Sequence, residues 1–289
     1  MRIAFQGAPG AYSEAAGLRF KPSAEPMPCQ SFEDVFEAVQ DKKATHGIVP
    51  IENTIGGTIR RNYDLLLRHE LPIVAEVHLP VIHNLVVLKG ATLEDVKRVY
   101  SHPQALAQCE RFLRSLKDVE VIANYDTAGS AKMISDGNLV DAAAIASDRS
   151  AELFGLSILQ AGVQDFPDNI TRFLVISREA LTQRKADKTT IAFSVPNEPG
   201  ALFKALSVFT LRDIDLGKLE SRPIPGRPWE YLFFADLNAD REDLRCARAL
   251  MHLAEFAPLV RTLGSYPSWK EPEAGERGSK ARNQTANLA

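Results

Sequence analysis

The amino-acid sequence predicts an α/β protein in which two lobes are followed by a smaller domain with a different order of elements. From residue 1 to about residue 177, short β-rich runs alternate with helical patterns, which is typical of parallel sheets built from βαβ units. A polar linker then precedes a βαββαβ order, which is typical of the ferredoxin-like arrangement. The length of 289 residues fits two domains, because single domains commonly have about 100–200 residues.

Eight β-rich runs in the first region are separated by polar and amphipathic segments. Apolar residues recur at helical spacing over residues 32–39, behind the candidate N-cap Ser31, and again over residues 106–116. The extended stretch 73–88 is expected to cross between two smaller sheets, so that two lobes enclose a cleft. Ligands in such folds bind beyond the carboxyl ends of the strands. The predicted strands are 2–5, 45–49, 73–79, 85–88, 96–100, 119–123, 142–146 and 172–176.

The region after the linker has shorter units and ends in a polar tail. Its predicted strands are 189–195, 214–221, 229–237 and 260–265, and its predicted helices are 199–210 and 241–256. After Pro267 the chain is charged and polar, and it has too few apolar residues to build a core. We therefore divide the chain into domain 1–180, linker 181–188, domain 189–267 and a tail, 268–289, that is expected to be disordered.

Composition and charge exclude several classes of protein. With 45% hydrophobic and 25% charged residues, the chain has the composition of an ordinary globular protein. The formal net charge of -3 gives no positive field to attract nucleic acid or an anionic membrane. The sequence has neither an apolar run of about 20 residues, as a membrane span requires, nor a signal peptide, so we expect a cytoplasmic protein.

Cysteine and histidine spacing argues against a metal site and a disulfide framework. Cys29, Cys109 and Cys246 lie far apart, and the six histidines show no metal-binding spacing. We therefore expect neither a metal site nor a disulfide framework.

Four junctions between a strand and a helix carry short polar side chains. The turn 7–13 contains two glycines, which allow the backbone to approach a ligand, and it ends at Ser13. Ser101, Thr127 with Asp126, and Ser147 follow other predicted strands. Unpaired N–H groups at such helix starts suit a substrate carboxylate, although Ser and Thr are also ordinary N-caps. Each junction alone is therefore a weak signal.

Two further segments are more polar than their positions require. The loop 50–58 contains Asn53 and Thr54 between a buried strand and a helix. Residues 169–173 place Thr171 and Arg172 at the start of an apolar strand. For Arg172, a structural role as a partner for nearby carboxylates competes with a substrate-binding role. His102 is a candidate base, but its position beside proline, without an acid partner nearby in the sequence, favours an ordinary hydrogen-bonding role.

Five segments, in this order along the chain, resemble the prephenate dehydratases and the related plant arogenate dehydratases. These segments are 7–14, 49–54, 101–106, 126–128 and 171–173. The resemblance implies a two-lobed catalytic domain like the periplasmic binding proteins. It also implies a reaction in which prephenate loses water and CO₂ to give phenylpyruvate, with no redox cofactor, Schiff base or metal.

The resemblance further implies roles for individual residues. Thr171 is expected to donate a proton or a strong hydrogen bond to the departing hydroxyl. Eight residues are expected to bind or orient the substrate, namely Asn53, Thr54, Ser101, Gln104, Asp126, Thr127, Ser147 and Arg172.

The second domain resembles an ACT domain, the small-molecule sensor attached to these enzymes. Its segments 200–202 and 220–223 match the helix-entry motif and the motif associated with phenylalanine binding. The resemblance implies inhibition by L-phenylalanine and a homodimer or homotetramer formed through this domain. We expect chemistry and sensing to separate in a chain ending near residue 184. The expected regulatory residues are Asn197, Gly200, Ala201, Leu202, Glu220, Ser221, Arg222 and Pro223.

Three alternative functions remain open from the sequence. The pair Ala11 and Tyr12 resembles the plant form, which keeps arogenate as a possible substrate. Two lobes around a cleft are also the architecture of non-enzymatic amino-acid- or anion-binding proteins. A sensor-bearing regulator without catalysis is a third alternative, but the sequence has no basic segment that would read DNA.

Overall fold

The computed structural model describes residues 1–180, 185–224, 226 and 229–271. Most of the predicted tail, and half of the predicted linker, lie outside these residues. The described residues form three sheets of six, five and four strands.

The first lobe is a sheet covered by three helices. Its strands follow the order β2-β1-β3-β11-β5, in which β11 is Ile170–Ser177, and the short β4 pairs with β3. Ser31 begins α2 with a capping box, as the sequence predicts. The elements up to the crossover are β1 (Arg2–Gln6), α1 (Tyr12–Phe20), β2 (Glu25–Cys29), α2 (Phe32–Gln40), β3 (His46–Asn53), β4 (Gly57–Thr58), α3 (Arg60–His69) and β5 (Ile73–Pro80).

The second lobe is a smaller sheet with the strand order β10-β6-β9-β7-β8. The helix expected over residues 106–116 is broken into α4 and α5. A 3₁₀ turn precedes β7. The elements are β6 (Asn84–Val87), β7 (Arg98–Ser101), α4 (Pro103–Ala107), α5 (Glu110–Ser115), β8 (Glu120–Ala123), α6 (Thr127–Asp136), β9 (Ala142–Ala146), α7 (Asp148–Leu153) and β10 (Ser157–Gln160).

Both lobes are mixed sheets, whereas the sequence predicts parallel ones. β11 (Ile170–Ser177) returns to the first lobe and lies antiparallel between β3 and β5. The parallel part is β2-β1-β3 in one lobe and β8-β7-β9 in the other. The chain crosses between the lobes twice, from β5 to β6 and from β10 to β11. These four strands are antiparallel to their neighbours because no βαβ unit sets their direction.

The C-terminal unit has the predicted βαββαβ order. Its four strands are all antiparallel, in the order β13-β14-β12-β15. On one side of the sheet, Phe193 and Phe233 belong to a core cluster that also contains Val208 of α8 and Leu253 of α9. The elements are β12 (Lys188–Ser194), α8 (Ala201–Thr210), β13 (Leu216–Pro223), β14 (Tyr231–Leu237), α9 (Leu244–Ala254) and β15 (Leu259–Tyr266).

The other side of this sheet shares a hydrophobic core with the first lobe. Phe234 of β14 packs on Tyr63 of α3, with ring centroids 4.5 Å apart. β15 approaches β5 so closely that a Cβ at Gly264 would lie 2.3 Å from the carbonyl oxygen of Ile73. Removal of the C-terminal unit would therefore expose core residues of the first lobe, and the expected separation of chemistry from sensing lacks a structural basis.

In the part of the chain that the structure describes, no helix combines the length and the apolar character needed to cross a membrane.

Candidate active site

A cavity of about 230 Å³ lies where the two lobes meet. Five of the predicted catalytic and substrate-binding residues line it: Asn53, Gln104, Asp126, Thr127 and Thr171. Phe173 and Val81 add apolar surface. The full lining consists of Gln6, Tyr12, Ser13, Pro50, Asn53, Ile59, Val81, His83, His102, Gln104, Ala105, Gln108, Tyr125, Asp126, Thr127, Thr171 and Phe173.

A hydrogen bond between Asn53 and Thr171 occupies the wall of the cavity formed by the first lobe. The two residues are opposite each other on β3 and β11, and Asn53 Nδ2 donates to Thr171 Oγ1 over 2.9 Å. The backbone N–H groups of Ile55 and Gly56 donate to Asn53 Oδ1, at 3.0 and 2.7 Å, which fixes the orientation of the amide. Because the Thr171 oxygen accepts, its own O–H proton is available for a second acceptor.

The hydrogen bonds continue from Asn53 through two more buried amides. Asn53 Nδ2 also donates to Asn169 Oδ1 at 2.7 Å, and Asn169 Nδ2 donates to Gln108 Oε1 at 3.0 Å. Gln108 Oε1 lies 2.9 Å from His83 Nε2. Since this oxygen can only accept, Nε2 of His83 carries the proton.

The same chain of hydrogen bonds ends at Tyr12. Burial lowers the pKa of His83, although the hydrogen bond to Gln108 acts in the opposite direction. A neutral His83 with its proton on Nε2 leaves Nδ1 unprotonated, 2.9 Å from the Tyr12 oxygen, and the Tyr12 hydroxyl also donates to the carbonyl of Ile82 at 2.7 Å. Burial also raises the pKa of Tyr12 well above its usual value, with the nearby Cys109 and Asp148 adding to the effect. The wall of the cavity from Thr171 to Tyr12 is therefore uncharged.

Gln104 reaches the cavity because residue 56 has no side chain. A Cβ at Gly56 would lie only 2.1 Å from Gln104 Nε2 and 3.3 Å from Asn53 Oδ1. His102 is the N-cap of α4, and its Nδ1 accepts from the Gln104 N–H at 3.2 Å. This contact gives His102 a hydrogen-bonding role in holding the start of the helix.

Asp126 joins the two lobes beside the cavity. Its Oδ1 accepts from the N–H of Ala128 at 2.9 Å and so caps α6. Its Oδ2 accepts from the N–H of Ala8 at 3.0 Å, in the turn before α1. Thr127, the first residue of α6, is thereby placed in the cavity wall. Asp126 thus holds the walls of the cavity in position as well as lining it.

Three predicted substrate-binding residues lie outside the cavity because the fold uses their hydroxyls. Thr54 Oγ1 donates to the carbonyl of Asp168 at 2.7 Å. Ser101 is fully buried, and its hydroxyl donates to the carbonyl of Ile145 at 2.7 Å. Ser147 caps α7 and donates to a carbonyl in the turn before α1. The structure thus gives each of these hydroxyls a hydrogen-bond partner within the fold.

Arg172 also points away from the cavity, because adjacent residues of a strand face opposite sides of the sheet. Its guanidinium donates to Glu76 Oε2 at 2.7 Å, to Tyr266 Oη at 3.2 Å and to a carboxylate oxygen of Asp236. Burial disfavours the charge, but Asp236, Tyr266 and Glu76 more than offset this effect, and the pKa of Arg172 stays above its usual value. The structural alternative, a partner for carboxylates, is the one that the geometry supports.

Comparison with known proteins connects this geometry to a family. The family model for prephenate dehydratase matches residues 3–181. The chain belongs to the prephenate dehydratase family. Its catalytic class is therefore that of the hydro-lyases, and the resemblance noted in the sequence is confirmed.

Individual members of the family and similar structures extend over nearly the whole chain. The chloroplastic arogenate dehydratase/prephenate dehydratase 2 of Arabidopsis thaliana is 48% identical over 278 residues, which is 92% of this chain and 73% of that protein. The prephenate dehydratase of Arthrobacter aurescens, solved in complex with L-Phe, is 32% identical with a TM-score of 0.84 and covers 99% of both chains. A structure described as GqqA, a novel type of quorum quenching acylase, is 36% identical with a TM-score of 0.86 and covers 93% of this chain and 98% of its own.

In this dehydratase-family chain, several cavity residues had no clear signal in the sequence. Gln108 falls within an apolar helical pattern, and Tyr12 within a turn in which the glycines and Ser13 carry the ligand-binding signal. No spacing distinguishes His83 in the sequence, and Asn169 lies inside the segment 169–173 without a pattern of its own. Among the described residues, no group of three or more His, Cys, Asp or Glu side chains is arranged to hold a metal ion.

A second cavity lies in the C-terminal unit of this dehydratase-family chain, and its volume is about 140 Å³. Three of the predicted regulatory residues line it, namely Asn197, Ala201 and Leu202. Trp229 and Tyr231 are among its aromatic walls. Gly200, at the start of α8, has φ of 81°, a conformation that favours glycine.

The other four predicted regulatory residues lie on β13 and do not line this cavity. Glu220 and Arg222 face the first lobe: Glu220 Oε2 accepts from the hydroxyl of Thr58 at 3.0 Å, and Arg222 Nη2 lies 2.9 Å from Asp64 Oδ2. Ser221 and Pro223 are exposed on the alternate positions of the strand.

Proposed function

We propose that the cavity converts prephenate to phenylpyruvate, and the observation that carries this proposal is the hydroxyl of Thr171. In this reaction the bond between the ring and its carboxylate breaks, CO₂ leaves, and the electron pair enters the ring. The C–O bond of the ring hydroxyl breaks at the same time, and this group takes up a proton to leave as water. Thr171 can donate that proton because its oxygen already accepts from Asn53, and the oxygen regains a proton from water after the products leave.

The cavity also suits a substrate with two carboxylates. Two helices, α1 and α3, begin at this cavity after Ala11 and Ile59, which provide no capping side chain. Uncapped N–H groups at helix starts bind anions, and the helix dipole favours negative charge there. Among the described residues that line the cavity, none is Lys or Arg. The two carboxylates are therefore bound by neutral donors, and no cation competes for the carboxylate that leaves.

The choice between prephenate and arogenate gives the first prediction. Relatives at 48% identity carry both substrates in their names, so arogenate dehydratase is the second candidate function. Prephenate carries a keto group where arogenate carries a charged amino group. We expect the higher kcat/KM with prephenate, because Asp126, the carboxylate in the cavity wall, already accepts two backbone hydrogen bonds.

The measurement is the initial rate with each substrate, followed as phenylpyruvate or phenylalanine formed by the purified chain. A higher kcat/KM with arogenate would make the chain an arogenate dehydratase. Lack of turnover of both substrates by folded protein would contradict the proposed function.

Replacing Thr171 by Val tests the proposed donor. Valine has nearly the same shape but no hydroxyl, so the strand should remain folded while proton donation is lost. General acid assistance commonly contributes about 10²–10⁴-fold, and we expect kcat to fall by that factor. Thr171→Ser, which keeps a hydroxyl, is the matched control and should retain most of the activity. If the Val variant is folded and turns over at the parental rate, Thr171 has no part in the chemistry.

We further propose that residues 189–267 form an ACT-type sensor that binds L-phenylalanine at an interface between copies of the chain. Three predicted regulatory residues line an aromatic cavity there, and the relative from Arthrobacter aurescens was solved with L-Phe. The homodimer or homotetramer and the cytoplasmic location remain predictions. Bound L-phenylalanine changes turnover only if its affinity differs between two states of the enzyme.

Gly200→Val is expected to weaken L-phenylalanine binding at least about tenfold, because valine is strained at the left-handed φ of 81° and would shift the start of α8. Calorimetry measures this binding. Gly90→Val is the control: its φ is 89°, and a side chain at either position meets open space. Parental binding by the Gly200 variant, with inhibition at the same concentrations, would place the effector elsewhere.

A further inference from the structure

The strands that carry Asn53 and Thr171 have a reverse face, which lies against the C-terminal unit. β3 and β11 are in a register that pairs Thr171 with Asn53 and Arg172 with Glu52. Because successive side chains alternate between the faces of a sheet, Arg172 and Glu52 point away from the cavity. Each residue of the catalytic pair thus has its direct chain neighbour on the opposite face.

Both neighbours form ion pairs with the C-terminal unit. Lys218 Nζ of β13 lies 2.9 Å from Glu52 Oε1. The guanidinium of Arg172 pairs with Asp236 of β14. Two adjacent strands of the C-terminal sheet therefore hold two adjacent strands of the first lobe, directly behind the Asn53–Thr171 hydrogen bond.

The contact at Arg172 is fixed from several directions. Only 12% of the Arg172 side chain and 5% of the Asp236 side chain are exposed. Asp236 Oδ1 also accepts from the hydroxyl of Thr190 at 2.6 Å, and the Tyr266 hydroxyl lies 2.6 Å from the same Thr190 oxygen. A buried charge pair with its remaining oxygens satisfied resists displacement, because any shift leaves an unpaired charge away from water.

The contact at Glu52 lies nearer the surface. The Lys218 side chain is 10% exposed and the Glu52 side chain 38% exposed. Lys218 Nζ also lies 3.3 Å from Thr58 Oγ1 on β4, which pairs with β3 next to the loop that orients Asn53. Loss of Lys218 would leave Glu52 partly hydrated, so this contact can be broken without burying an orphaned charge.

We propose that Glu52 and Arg172 are positioning residues, through which the C-terminal unit sets the distance and angle of the Asn53–Thr171 hydrogen bond. The inference rests on the proposed role of Thr171 as a proton donor. It assigns the C-terminal unit a part in catalysis in the absence of any effector. It also identifies the two ion pairs as the contacts through which a change in that unit reaches the cavity.

Lys218→Met tests this proposal. Arg172→Met is the more obvious change, but it leaves Asp236 buried without a counter-charge and Glu76 with Lys188 alone, and it is expected to unfold the chain. Lys218→Met keeps the aliphatic stem and removes only the ammonium. A small displacement of a reacting group can cost about 10²-fold, so we expect kcat to fall about 10- to 100-fold, with KM within about twofold.

A matched control separates positioning from general loss of stability. Arg261 joins the C-terminal unit to the first lobe in a similar way, since its Nη1 donates to the carbonyl of Leu67 at 2.6 Å and lies 3.5 Å from Glu70. Neither partner is on β3 or β11. Arg261→Met should lower the denaturation midpoint and leave kcat at the parental value.

The charge exchange Glu52→Lys with Lys218→Glu provides a rescue, and it should recover kcat lost in Lys218→Met because it restores an ion pair at the same place. The proposal is overturned if folded Lys218→Met has the parental kcat, if Arg261→Met lowers kcat equally, or if the exchange recovers nothing. A parent enzyme that does not turn over prephenate would instead overturn the proposed function.

Discussion

The hydrogen bond from Asn53 to Thr171 is the interaction on which the proposed chemistry depends. Threonine is a very weak acid, so its value as a donor comes from where its proton points and not from its pKa. Two backbone N–H groups fix the Asn53 amide, and the amide in turn makes the Thr171 oxygen an acceptor. The proton is thereby directed to a substrate, in a cavity where nearby dipoles are already oriented.

Hydrogen bonds and ion pairs also fix side-chain orientation elsewhere in the cavity wall and on the reverse face of the sheet. In the wall, each amide of the series from Asn53 to Gln108 has one allowed orientation, because each end of the series is fixed by a partner. Behind the wall, the C-terminal unit shares a core with the first lobe and pairs with Arg172. On the proposed account, the C-terminal unit therefore contributes to catalytic geometry through packing as well as through its proposed sensing role.

The sequence predicts those features that are set by local patterns. The fully apolar strand β9 and the capped helix α2 are evident from residue type and spacing alone. The strand β2 is not, because Pro26 and Pro28 argue against a strand, and an edge position tolerates them. For Arg172, the family resemblance implies a substrate contact, whereas the residue type also allows a structural partner. Its partner Asp236 is 64 residues away, and only the fold brings the two together.

A double-mutant cycle on Asn53 and Thr171 tests the central claim most directly. If Asn53 acts by orienting the hydroxyl, kcat of the double variant Asn53→Ala with Thr171→Val should equal that of Thr171→Val alone, within about twofold. Asn53→Ala by itself should lower kcat by a smaller factor. Losses that multiply, with each substitution lowering kcat by the same factor in either background, would show that the two residues act independently and would contradict the account.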